Sequence, residues 1–479
     1  MAAGTSAKPG GGGDNGTAGG PRAAALTRNI SEIQLAYVLA NHPDAVPYPP
    51  RRDGDTNPPP AEFVYQQGAL LTRERDLPEV LALLSAAGTG KERGRGRGRG
   101  RSARGAAIEP TVPAPGLALV QLAHPDLPAD PVAADELITE VITAADRRIG
   151  PHTVARNTLL SVSNGRPPPP ATWCAATEPE EPADVTVPLP RVSASRCDGR
   201  GTLVVVADTG LDPAAPAAHG WMNGVTGDPD TDVGGGVIDG YGGHGTFCAS
   251  TVRAMAPRAD VQVRRVFAGA GAAYETDVVA RLLTVLDQAP DVINLSAGTH
   301  TWLNRTLLSF DFFVNGPLAE RPNTVLVAAA GNDGDDWRFA PAEMPQVISV
   351  GALDVPGNAR ARFSDFGDWV KVFAPGQELV QAFPSGTYTY RETRIGQTAT
   401  FTGLARWSGT SFSAPIVAGL IAARMSGTGE TARDAAGSLL KLARAQALPG
   451  VGPVLRPGQA CLCVHEEPCR SRRRPGCCS

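Results

Sequence analysis

The chain has 479 residues, with 44 Lys+Arg against 48 Asp+Glu and a formal net charge of −4. That balance argues against bulk nucleic-acid binding, and aromatics at 5% leave little for a base-stacking surface. Apolar residues at 42% suffice for a sizeable core and about two to four domains, and no run of about 18 apolar residues marks a membrane span.

Residues 1–60 are rich in Gly and Pro, with one short helical pattern from Ile30 to Ala40. The first twenty residues lack the apolar core of a secretory signal, which favours the cytoplasm, with an extracellular location left open. Residues 61–165 alternate strand-like and helix-like segments. Phe63–Leu71, Leu117–Leu122 and Thr158–Val162 read as strands. Leu77–Ala87 reads as a helix, with Leu77, Val80, Leu81 and Leu84 at helical spacing. Ala133–Ile149 reads as a second, with Leu137, Ile138, Val141 and Ile142 on one face. This order predicts a small α+β unit. The Gly-Arg run around Gly94–Arg101 reads as a solvated insertion; an RNA-binding patch is the alternative, weakened by the lack of any aromatic residue in it.

Residues 166–200 form a linker, with Pro167–Pro170 and then the acidic Glu178, Glu180 and Glu181. In residues 201–447, apolar runs recur at Leu203–Ala207, Val261–Val266, Val292–Leu295, Val325–Ala329, Val347–Val350 and Val370–Phe373. Helical patterns such as Thr276–Gln288 lie between them, which predicts an α/β fold with a mostly parallel sheet covered on both faces. Residues 448–479 are a tail holding Cys461, Cys463, Cys469, Cys477 and Cys478. Its spacing fits no zinc pattern, so disulfides or disorder lead. Cys174 and Cys197 are free to pair or to stay reduced.

Three short motifs stand where a strand ends or a helix begins. Asp208 ends the run Val204–Ala207 and is followed by Thr209-Gly210. His244 sits among Gly242, Gly243 and Gly245 at a helix start. Ser411, in Gly409-Thr410-Ser411-Phe412-Ser413-Ala414-Pro415, opens an apolar helical pattern, beside free backbone N–H groups and the positive end of a helix dipole. Pro415 suits only a first helical turn. Singly, each reads as an ordinary capping or loop residue. Together they supply a hydroxyl, the base that removes its proton and the carboxylate that holds the base. The order Asp, His, Ser is that of subtilisin.

With the further motifs VINLSAG and AAAGN, the chain resembles the subtilisin-like serine peptidases (subtilases) over about residues 200–425. The resemblance implies a serine endopeptidase acting through an acyl-enzyme, with no cofactor needed for the chemistry. Asp208 would orient His244, His244 would act as base and then acid, and Ser411 would be the nucleophile. Asn332 and the Ser411 N–H would form the oxyanion hole. A peptide substrate would add as a strand between Ser296-Ala297-Gly298 and Gly269-Ala270-Gly271. Ser296–Gly298 and Ala329–Gly331 would wall the specificity pocket; being small and uncharged, they point to an apolar residue before the cut. The glycines around Asp208, His244, Asn332 and Ser411 are expected where a peptide backbone comes close.

Cys248, four residues after His244, matches a position where some subtilases hold a buried free thiol, here expected to react with mercurials. The family's common calcium loop is absent between Ala249-Ser250-Thr251 and Ala256-Pro257-Arg258-Ala259. Structural calcium remains open: Asp228, Asp230, Asp232 and Asp239 read as a solvated loop or a different cation site. Residues 61–165 resemble the family's inhibitory propeptide. They would block the cleft as an intramolecular partner until cut in the 163–200 linker. The competing readings are a processing peptidase for one modified peptide, and a non-catalytic RNA-binding protein using the Gly-Arg run.

Overall fold

A computed structural model describes residues 32–90, 110–122, 127–162, 178–194 and 198–459, apart from positions 53, 56, 57 and 393. The Gly-Arg run, Cys174, Cys197 and the cysteines from Cys461 onward lie outside the described residues. Among the described residues, no helix is long and apolar enough to cross a membrane.

The N-terminal part holds α1 (32–41), β1 (Ala45–Tyr48), β2 (Phe63–Arg73), α2 (Leu77–Gly90), β3 (Pro110–Ala114), β4 (Leu117–Gln121), α3 (Pro131–Arg148) and β5 (Val154–Ser161). All strand pairs among them are antiparallel, and β2 takes β1, β4 and β5 as neighbours. One face is covered by α2 and α3 through Leu70, Val80, Val120, Ile138, Val141 and Ile142. Helix α3 starts where Asp130 caps it, its carboxylate accepting from Ala133 N, with Pro131 in the first turn. Strand β5 begins earlier than the apolar pattern indicated. The reason is Arg156, a buried cation paired with Asp135 at 2.6 Å and set over the rings of Tyr48, Tyr65 and Trp302. Strand β3 carries two prolines, which suits only the sheet edge it occupies.

The larger part is built on β6 (Leu203–Asp208), α4 (Ala215–Ala218), β7 (Thr226–Gly227), β8 (Val233–Gly234), β9 (Val237–Ile238), α5 (His244–Met255) and β10 (Asp260–Arg265). It continues through β11 (Ala272–Tyr274), α6 (Glu275–Leu286), β12 (Val292–Leu295), α7 (Leu308–Asn315), β13 (Val325–Ala329), β14 (Ile348–Leu353) and β15 (Val372–Pro375). It ends with β16 (Leu379–Thr389), β17 (Thr398–Trp407), α8 (Thr410–Thr428) and α9 (Ala432–Ala445). Seven strands form one sheet in the order β15-β14-β13-β12-β6-β10-β7, every pair parallel. Alternate residues of β6 serve opposite faces. Val204 and Val206 join the cluster of α5 and α8, whereas Val205 and Ala207 join that of α6 and α7. Burial on both faces is why these strands read as unbroken apolar runs.

The structure draws the boundaries differently from composition. Residues 178–194 lie on the larger part, where Glu180 bridges Arg406 and Leu189 bridges Val380. Beyond residue 447, Val454 bridges Phe373 and is fully buried with Leu455. The hairpin β16–β17 was not expected: its Thr- and Ala-rich alternation carries little apolar signal, although β17 buries every second residue.

The two parts meet on one sheet edge, because β5 pairs antiparallel with β11. Arg73–Asp311 at 2.5 Å and Arg305–Asp146 at 2.6 Å cross the same interface. At its centre is the fully buried Glu275, which accepts from Thr158 N (3.2 Å), Ser309 N (3.0 Å) and Ser309 Oγ. Burial pushes its carboxyl up to about 7, against the downward pull of those donors. A carboxyl raised on folding binds more protons folded than unfolded, so it costs increasing stability as pH rises from about 4.5 to 7. Glu275→Gln cannot ionise. Its stability relative to wild type, by thermal melts, is expected to rise by about 1–3 kcal/mol between pH 4.5 and 8; a pH-independent difference contradicts this.

Candidate active site

The carboxyl ends of neighbouring parallel strands are where open α/β sheets bind ligands. Here β6, β12 and β13 deliver Asp208, Ser296 and Asn332 to one place. Asp208 is fully buried. Its Oδ1 accepts from Thr209 N at 2.8 Å and lies 2.7 Å from His244 Nδ1. His244, also buried, is the first residue of α5, and its ring packs against Trp407 and Phe412 at 5.4 and 5.2 Å. A carboxylate on Nδ1 holds the proton there and leaves Nε2 as the free base.

Ser411 is the second residue of α8. Pro415 therefore falls past the first turn expected for it, and it cannot donate to the carbonyl four residues back. That carbonyl belongs to Ser411. It is satisfied instead by Ser296 Oγ at 2.7 Å and by Cys248 Sγ at 3.5 Å. Asn294 Nδ2 in turn donates to Ser296 Oγ at 2.9 Å. The proline thus ties the start of α8 to β12 and α5. The Ser411 Oγ lies 3.4 Å from the carbonyl oxygens of both Ser296 and Val162, and its one proton can serve either. Asn332 Oδ1 accepts from Thr410 N at 2.9 Å and lies 3.0 Å from Thr410 Oγ1, which leaves the Asn332 NH2 for a ligand.

The Subtilase family profile matches residues 199–444, just over half of the chain. The chain belongs to the subtilase family. It is 31% identical over 231 residues to the thermophilic serine proteinase of Bacillus sp. (strain AK1), covering 46% of this chain and 51% of that protein. It is 29% identical over 246 residues to the intracellular serine protease of Paenibacillus polymyxa, covering 47% and 66%. To thermitase of Thermoactinomyces vulgaris it is 29% identical over 233 residues, covering 47% and 74%. The chain spans about half to two thirds of the length of the first relatives.

In this subtilase the expected substrate-binding segments pair with β5 of the chain itself. Ser161 and Gly298 exchange both backbone hydrogen bonds at 3.1 Å, and Val162 N donates to Gly271 O at 3.0 Å. Gly298 and Gly271 thus flank β5 from its two sides. Gly269 instead accepts from His42 Nε2 at 3.3 Å, and the edge continues through Ala272–Tyr274, which glycine content did not reveal. Ala330 and Gly331 are held by Val350 O and Thr410 Oγ1.

Two glycine roles need correcting. Gly210, at φ +123°, leaves room for Asp230, whose Cα would stand 2.6 Å from an added Cβ. Gly245 packs onto Gly210 itself. These glycines let the two loops approach each other; they do not face an incoming backbone.

The acidic loop does not converge on a common point. Asp230 Oδ2 accepts from Thr209 Oγ1 (2.9 Å) and Gly243 N (2.8 Å), tying the end of β6 to the start of α5. Burial pushes its carboxyl up to about 6. Asp228 takes Arg265 N and Arg264, and Asp239 takes Arg391 and Tyr37. Among the described residues, the groups close enough to share a metal ion are Asp208–His244–Cys248 and His300–Asp333–Asp365, neither drawn from this loop.

Cys248 is fully buried, and burial pushes its thiol well above the usual range, with Asp208 adding to the effect. A protonated, enclosed thiol is a poor nucleophile. Iodoacetamide at pH 8 is expected to spare Cys248 in the folded protein and to modify it in denaturant, by peptide mapping. Modification of the folded form at a free-thiol rate contradicts this.

Proposed function

We propose that this subtilase is a serine endopeptidase whose own N-terminal part is both its inhibitor and the first chain it cuts. The observation that carries the reading is the Ser411 Oγ, 3.4 Å from the Val162 carbonyl oxygen, while the buried Asp208–His244 pair reaches the same helix start through Cys248 Sγ, 3.9 Å from His244 Nδ1 and 3.5 Å from the Ser411 carbonyl. His244 Nε2 takes the Ser411 proton as Oγ attacks the carbonyl carbon. The oxyanion that forms is stabilised by the Ser411 N–H and the Asn332 amide, whose carbonyl end Thr410 N keeps turned away. His244 then protonates the leaving amine, and the C–N bond breaks to leave the acyl-enzyme. Water, deprotonated by His244, releases the acid. Asp208, 2.7 Å from Nδ1, stabilises the imidazolium.

Substrate binding follows the pattern of β5. A peptide adds as a strand between Gly298 and Gly271–Tyr274, held by its backbone. While β5 fills that place, no other chain can enter. Cleavage falls directly after the strand, at Val162–Ser163 or Ser163–Asn164. The hydrogen bonds of Ser161 and Val162 lie upstream of either bond, so the cut end stays in the cleft as a product-like inhibitor.

The test is mass spectrometry and fluorophosphonate labelling of the full chain beside Ser411→Ala. Wild type is expected to show a new N-terminus at residue 163 or 164, and to be labelled once the cut N-terminal part is removed. Ser411→Ala should stay whole and unlabelled, with turnover down on the order of 10⁶-fold. Asn332→Ala should stay folded and lose on the order of 10²–10³-fold in kcat. An unlabelled, uncut wild type, or a first cut beyond residue 178, contradicts the proposal.

A further inference from the structure

Between the two walls of the expected specificity pocket stands an aromatic ring that no motif announced. A Cβ added at Gly298 would run into Phe339, with its Cδ1 at 2.7 Å. A Cβ added at Gly331, on the opposite wall, would lie 2.9 Å from Phe339 Cγ. The ring therefore borders both walls, with the Asp365 carboxylate beside it at Gly331. Phe339 is 3% exposed and shares one apolar cluster with Ala297, Ala330 and Val162. It is also braced from behind. Its neighbour Ala340 exchanges both backbone hydrogen bonds with Thr299 at 2.9 Å. The His300 ring meets Phe339 edge-on at 5.3 Å. His300 is fixed in turn by Asp333 Oδ2 on Nε2 at 2.8 Å and by the Arg338 carbonyl at 3.3 Å from Nδ1.

We infer that Phe339 is the specificity-determining residue of this cleft: it fills the pocket, so the residue before the cut must be small. Gly, Ala, Ser and Val fit; Phe, Tyr, Leu, Lys and Arg do not. The inference rests on the serine endopeptidase reading and narrows it. A side chain that needs the space of a buried, braced ring must displace it, and such overpacking is costly in a close-packed interior. The Val162 side chain is turned toward the other edge, with Cγ2 2.6 Å from a Cβ added at Gly271, and the residue that follows it in the sequence, Ser163, is small.

The test uses the full-length chain after self-cleavage and removal of the cut N-terminal part, with competent sites counted by fluorophosphonate. A peptide library is digested, and the residue before each new cut is read by mass spectrometry. Small residues are expected to exceed aromatic, long aliphatic and basic ones by about 10²-fold in kcat/KM. Phe339→Gly should raise cleavage after Phe relative to Ala by a similar factor. Wild type that cuts after Phe or Leu as readily as after Ala overturns the inference. So does a labelled Phe339→Gly with an unchanged preference. If Phe339→Gly does not fold, the wild-type profile and Phe339→Ala decide. A wild type that takes no label instead removes the peptidase reading beneath it.

Discussion

A carboxylate with no exposure to water is tolerable only when its charge is met by donors or a cation. Asp208 is in that position, and much of the surrounding structure can be understood as the means of meeting it. Thr209 N and His244 Nδ1 supply the donors. To bring them within reach, the end of β6 and the start of α5 must nearly touch, which requires Gly210 and Gly245 at the contact. Asp230 then locks the same two segments from the outside through Thr209 Oγ1 and Gly243 N. On the far side Trp407 and Phe412 close over the His244 ring, keeping the pair in a low-dielectric setting.

The second constraint is a missing hydrogen. Pro415 leaves the Ser411 carbonyl without its helical donor, and Ser296 and Cys248 fill the gap. A helix that would otherwise be free to fray at its start is anchored to β12 and α5. Local irregularity is thus offset by bonds from two other segments, which fix where Ser411 stands.

The N-terminal part is joined to the larger part by backbone pairing, through Gly298 on one side of β5 and β11 on the other. The sheet of the small part continues through β5 onto β11, so its grip is built from backbone bonds at the end nearest Ser411. Side chains supply the rest: Arg156 over Trp302, the Arg73–Asp311 and Arg305–Asp146 pairs, and the shared carboxyl of Glu275. The backbone contacts constrain position along the cleft. The side-chain contacts are peculiar to this partner and distinguish it from a passing peptide.

Six of the seven strands of the parallel sheet and the α5 and α8 starts were legible in the sequence, because periodicity and helix-start chemistry are local, whereas the two-residue β7 was not. Val204–Ala207 reads as a buried strand from its own composition, and His244 and Ser411 each sit beside the glycines or helix signals that place them. What escaped was set by distant partners. The Thr-rich β17 looks polar until β16 pairs with it. Arg156 and Glu275 look like surface charges; Arg156 is buried against Asp135, Tyr48 and Tyr65 of its own part together with Trp302, and Glu275 where Thr158 and Ser309 meet. Phe339 reads as one more apolar residue; its place between Gly298 and Gly331 arises from chain segments that come together only when the sheet closes. The sequence by itself therefore determined which groups this protein brings to its site. The tertiary structure alone decided how much space is left beside them and which chain now occupies it, since space is defined by atoms far apart along the chain.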